Sequence, residues 1–90
     1  MTKRNVQVIV VRCQKHEKDG WSTYGDRLYD TKFPTLEEAM TFGGVSTGKG
    51  RCVIVRPCYN EEDEFGKGFF REWRSFDGQP LGEIRWSFDF

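Results

Sequence analysis

The chain has one histidine, three cysteines and no net charge, and each scarcity closes off a class of function. Lys and Arg number 14, as do Asp and Glu, so no global field draws the protein to nucleic acid or an anionic membrane. Only local patches can do so. The N-terminal apolar run extends only from Val8 to Val11 before Arg12 and lacks a small-residue cleavage site. The opening MTKRNVQVIVVRC therefore reads as a strand, not a secretory leader or a membrane span, and the default expectation is a cytoplasmic protein. Cys13, Cys52 and Cys58 cannot all pair without a leftover thiol, and reduced, partly buried thiols are the simpler expectation. Ninety residues supply one core and hence one domain, residues 1–90, with no repeat, linker or low-complexity segment.

The single histidine, His16, lies in a polar stretch between Lys15 and Glu17, with no serine or cysteine and orienting carboxylate close by in sequence. No catalytic constellation is expected, and no cofactor. Cys13-x-x-His16 together with Cys52 and Cys58 offers four zinc-type ligands. Cys52 and Cys58 fall on one expected strand, however, where about 20 Å would separate their Cα atoms. One tetrahedral ion cannot span that, so no metal site is expected and small buried thiols are the reading.

GGVSTGKG, residues 43–50, comes within one residue of a phosphate-binding loop: Gly43, Gly48 and Lys49 match, and Gly50 replaces the magnesium-binding hydroxyl. Such a loop needs a strand before it and a helix after it. Here the order is reversed. Thr35-Leu36-Glu37-Glu38 is a capping box that starts a helix, and Leu36, Ala39 and Met40 continue an apolar stripe. Gly43-Gly44 is expected to end that helix after about two turns. The remainder reads as a mobile link that carries Lys49 and Arg51 into a strand.

Residues 5–13 are apolar on both faces and read as a central strand, and residues 26–33 read as a weaker one. Between them KHEKDGWSTYGD is a polar loop or hairpin connection. RCVIVRPC (51–58) is a third strand closed by Pro57, and YNEEDEFGKG is an acidic loop. FFREWRSF (69–76) and LGEIRWSF (81–88) flank Asp77-Gly78-Gln79-Pro80 as a hairpin. In its second strand Ile84, Trp86, Phe88 and Phe90 share a face expected to be buried. The expected architecture is α+β, in the order β-β-α-β-β-β, with one short helix on one face of a mostly antiparallel sheet of about five strands.

Aromatic residues make up 16% of the chain and crowd its C-terminal third, more than a small two-layer core absorbs. Exposed aromatics beside arginine form the composition of a protein-binding face. Arg56, Arg71, Trp73, Arg74 and Arg85 are the expected contacts, with Lys49 as a further basic contact. The acidic run Glu61, Glu62, Asp63 and Glu64, which ends at Phe65, is a second patch. Lys67-Gly68-Phe69 opens like the signature strand of RNA-recognition motifs, but Phe70, Arg71 and Glu72 then break the pattern. Interleaved aromatics and arginines in the hairpin could still stack single-stranded bases, which is the alternative function.

Thr35-Leu36-Glu37-Glu38-Ala39-Met40 and Val55-Arg56-Pro57-Cys58 resemble segments of the small phage T7-type inhibitors of bacterial RNA polymerase. The resemblance runs from Pro34 to Cys58, roughly a quarter of the chain. It implies that Arg56 contacts the polymerase; Ile54 stands where the family has a second arginine. The whole β-β-α-β-β-β order is similar to that of a small type I-F anti-CRISPR protein. Both resemblances imply a non-enzymatic phage protein, monomeric or weakly dimeric, in the cytoplasm of a bacterial host. Its partner would be a host protein or ribonucleoprotein complex, with a possible nucleic-acid contact.

Overall fold

The computed structural model describes residues 5–12, 14–16, 20–22 and 27–87, with 14–16 and 20–22 described by their backbone only. One helix packs on a six-stranded antiparallel sheet, an α+β domain as expected. The strands are β1 (Val6–Arg12), β4 (Arg27–Phe33), β5 (Arg51–Pro57), β6 (Glu61–Glu62), β7 (Gly68–Phe76) and β8 (Gly82–Ser87). A separate two-stranded ladder joins β2 (Gln14–His16) to β3 (Gly20–Ser22), and α1 spans Leu36–Ser46. The order thus contains three short strands that the sequence pattern did not single out, in segments where polar residues hide the alternation of a strand.

β1 is central, as its doubly apolar pattern requires, with β4 on one side and β5 on the other. β5 pairs with the C-terminal half of β7, from Cys52↔Phe76 to Val55↔Trp73, and β6 pairs with its N-terminal end. Both lie along the same side of β7. Between them, Phe70 to Glu72 have no strand partner on that side. β8 closes the other side from Phe69↔Ser87 to Arg74↔Gly82. The connecting turn has the geometry its Asp-Gly pair specifies: Asp77 and Gly78 both take positive φ, 54° and 85°.

The register divides every strand between two faces. On the helix side, Val6, Val8, Val10, Val53 and Val55 form the core with Ala39, and Phe33, Leu36, Met40, Phe42, Trp73 and Leu81 pack around it. On the other side, Ile9, Val11 and Cys52 are buried, with Ile54 and Phe76 against them. Ser75 of β7 is also buried, and its hydroxyl donates to the Gln79 carbonyl in the turn.

Thr35 caps α1 as read: its Oγ1 accepts from the Glu38 amide at 3.2 Å and donates to the Glu38 carboxylate. The expected helix end is corrected. α1 runs through Gly43 and Gly44 to Ser46, 11 residues in all, and its C-cap is Thr47. Gly43 is an approach point instead of a breaker, because a Cβ there would lie 2.6 Å from Val55 Cγ2. Only glycine lets the helix come that close to the sheet. The left-handed residue lies later, at Gly50, with φ 75°.

The loop that follows is held, which corrects the expectation of a mobile link. The Gly50 amide donates to Asp77 Oδ1 at 2.8 Å, the Asp77 amide donates to the Arg51 carbonyl, and Gly78 packs against Gly48. No helix among the described residues is long and apolar enough to cross a membrane.

The cysteines also depart from expectation. Cys52 is buried in β5 but disulfide-bonded, and Cys58 is an exposed free thiol just beyond the strand end. Cys13, Phe88 and Phe90 lie outside the described residues.

Candidate partner-binding cleft

Strand alternation separates the expected contact residues into two groups on opposite faces. Arg71, Trp73 and Arg85 lie on the helix side, because β7 places Trp73 opposite Val55 and β8 places Arg85 opposite Arg71. Arg56 and Arg74 lie on the other face, with Gln7, Ile54, Phe70, Ile84 and Trp86. No single surface gathers all five.

The helix-side group is largely committed to contacts within the chain. Arg71 pairs with Glu61 at 2.7 Å, approaches Glu83 at 3.9 Å, and sits 4.8 Å from the centre of the Trp73 ring. Trp73 itself packs on the core. Arg85 stacks over Phe69 at 3.7 Å. The Glu61 carboxylate offsets the charge of Arg71, whereas the ring contact of Arg85 leaves its charge in place. A polar cleft of about 550 Å³ opens here, lined by Tyr59, Asn60, Glu61, Glu62 and Arg71.

The opposite face keeps more of its chemistry free. Phe70 and Trp86 stack across β7 and β8, with ring centroids 5.7 Å apart and planes 26° apart, and Trp86 is 43% exposed. That corrects the expected buried face of the last strand. Ile84 is only half-buried and Trp86 is exposed, because no helix covers β8 on that side. Beside the stack an open cleft of about 410 Å³ is lined by Gln7, Arg56, Cys58, Tyr59 and Phe70, among others. It lies over the break where β5 ends and β6 has not begun.

Arg56 reaches this cleft from a hydrogen-bonded row that crosses three strands. Its Nε donates to Gln7 Oε1 at 3.0 Å, Gln7 Nε2 donates to Asp30 Oδ1 at 2.7 Å, and Arg27 pairs with Asp30 Oδ2 at 2.7 Å. The Gln7 hydrogen bond, with the guanidinium groups of Arg27 and Arg56, holds the Asp30 carboxyl below its ordinary 3.8, against a smaller opposing effect of desolvation. The row fixes the Arg56 stem while both η amino groups stay unclaimed among the described residues. Arg74 differs, since it pairs with Glu72, which is only 3% exposed. Burying that carboxylate requires the arginine, so Arg74 has a structural task.

The acidic run is dispersed. Glu61 is bound to Arg71, and Asp63 closes a turn by accepting from the amides of Phe65 and Lys67 at 2.9 and 2.8 Å. Glu62 and Glu64 are exposed, and Phe65 projects from the turn at 78% exposure. Lys49 is exposed in the loop that Asp77 holds, just before the start of β5 and so at the opposite end of that strand from Arg56 and the cleft. The described residues contain no group of three metal-ligating side chains.

Sequence reasoning named Phe70 only for base stacking and assigned Trp86 to a buried face, and it passed over Gln7. Parity carries the signal for the first two: Phe70 and Trp86 flank the Asp-Gly turn at positions that its register makes opposite. Gln7 carries none. No protein-family model matches this chain, and neither a curated protein nor a solved structure does.

Proposed function

We propose that the protein is a non-enzymatic binding module that seats a macromolecular partner on the Phe70–Trp86–Arg56 cleft. The supporting observation is the Phe70–Trp86 stack, with Trp86 exposed, beside an arginine whose η amino groups are unclaimed among the described residues. Tryptophan and arginine bordering a cleft are the residues on which interface energy concentrates. The resemblance to phage inhibitors supplies the partner class: a bacterial nucleic-acid-processing complex, either RNA polymerase or a CRISPR effector, whose surface the module occupies. A cytoplasmic site belongs to this reading, and the disulfide at Cys52 is the feature that argues against it, since that compartment keeps thiols reduced.

The test is binding to purified bacterial RNA polymerase and to a purified type I-F effector complex, with wild type compared to Trp86→Ala and Arg56→Ala. Truncating a hot-spot side chain costs about 2 kcal/mol or more, so each variant should bind roughly thirtyfold more weakly at unchanged circular dichroism. Equal binding by the double variant, or no binding of wild type to either complex, removes the reading.

The same stack supports single-stranded nucleic-acid binding as the second reading. That reading predicts tight binding of an oligonucleotide that weakens steeply as salt rises.

A further inference from the structure

β4 is an edge strand of seven residues, Arg27–Phe33, with no strand beyond it among the described residues. Edge strands ordinarily carry a charge or a bulge that blocks pairing with another chain. Here β4 carries both: Lys32 is the charge, and the ladder to β1 is irregular at Leu28, at the start of the strand and outside the segment Tyr29–Phe33. The sequence of β4, however, supplies its own complement.

The geometry points to a symmetric dimer in which β4 pairs antiparallel with β4 of a second copy, with Thr31 on the two-fold axis. In this register Asp30 lies opposite Lys32, and by symmetry Lys32 opposite Asp30. Tyr29 lies opposite Phe33 in the same way. Asp30 and Lys32 share one face of the strand, whereas Tyr29, Thr31 and Phe33 share the helix side, so every pair meets on its own face. Opposite charges and aromatic pairs placed directly across a ladder are the stabilising cross-strand combinations.

Neighbouring registers fail. Centring on Asp30 opposes two carboxylates, and centring on Lys32 opposes two ammonium groups. Lys32 makes no ion pair among the described residues, and Asp30 is a carboxylate with the depressed pKa described above.

The surface next to the edge suits the same occupant. Tyr29 and Phe33 both stack on Phe42, at 4.7 and 5.2 Å. A mainly apolar groove of about 530 Å³ between β4 and α1 is lined by Phe33, Phe42 and Val45, with Glu37, Glu38 and Thr41 on its helix wall, and Val45 is 76% exposed. A second copy would continue the sheet across the two-fold axis and bring its Tyr29 against Phe33. This surface is on the opposite edge from β8, so it is independent of the cleft proposed above.

Charge reversal tests the register. Wild type should double its mass in sedimentation as chain concentration rises from roughly micromolar to millimolar. Lys32→Asp alone and Asp30→Lys alone should each dimerise about tenfold more weakly or worse, since each sets like charges opposite each other twice. Mixing the two variants in equal amounts restores both pairs and should restore the dimer as a heterodimer.

Should Asp30→Lys lose its circular dichroism because Gln7 and Arg27 lose their partner, Lys32→Asp and Thr31→Arg provide the remaining arms. Both of these should remain folded and dimerise about tenfold more weakly than wild type, or worse. A wild type that is monomeric throughout overturns the proposal, as does dimerisation that survives Lys32→Asp, which would place the contact elsewhere, β8 included.

Discussion

At the scale of single residues, the two adjacent glycines of α1 behave as opposites. Gly43→Ala gains helix propensity of about 1 kcal/mol but drives a methyl into Val55, and overpacking of a core costs about 1–3 kcal/mol. A net loss in urea unfolding is expected. At Gly44 nothing lies within 4 Å of a built Cβ, so Gly44→Ala should stabilise by about 0.5–1 kcal/mol in the same assay. Removing Arg74 should leave Glu72 buried without a partner and cost on the order of 1–3 kcal/mol, whatever the partner-binding assay shows. Asp30 gives a pH signature. Its folded pKa is depressed, so its contribution is complete above its ordinary value of 3.8 and is lost as pH falls through the lower folded value. Asp30→Asn should therefore flatten the change in urea midpoint below about pH 4 relative to wild type, and an unchanged profile would contradict the assignment.

At the scale of elements, local chemistry explains which parts of the sequence were readable. The Thr35 capping box, the doubly apolar β1 and the Asp-Gly hairpin are each set by neighbours within a few residues, and the structure keeps all three. The end of α1 was not readable, because a glycine pair serves equally as a terminator and as a place for close packing. The distinction depends on Val55, twelve positions further on. Polar strands β2, β3 and β6 give no alternation, and β6 exists because β7 offers an unpaired edge to Glu61 and Glu62. The loop held by Asp77 makes the matching prediction. Asp77→Asn keeps the tolerance for positive φ but weakens the acceptor for Gly50, and should leave the fold intact while speeding amide exchange at Gly50.

At the scale of the molecule, the candidate site was half legible. Arg56 was identified from the sequence, but pooling Arg71, Trp73, Arg74 and Arg85 with it ignored that odd and even positions of β7 face opposite ways. The pairing of Phe70 with Trp86 follows from the same parity once the turn is fixed.

The break along β7 has a consequence for how the sheet breathes. Amides of Phe70–Glu72 that point toward the gap between β5 and β6 lack a strand partner, although they belong to the longest strand of an otherwise closed ladder. They should exchange with deuterium faster than those on either side, and a partner seated in the cleft should slow them. The middle of an interior strand, and not its ends, would then report whether the cleft is occupied.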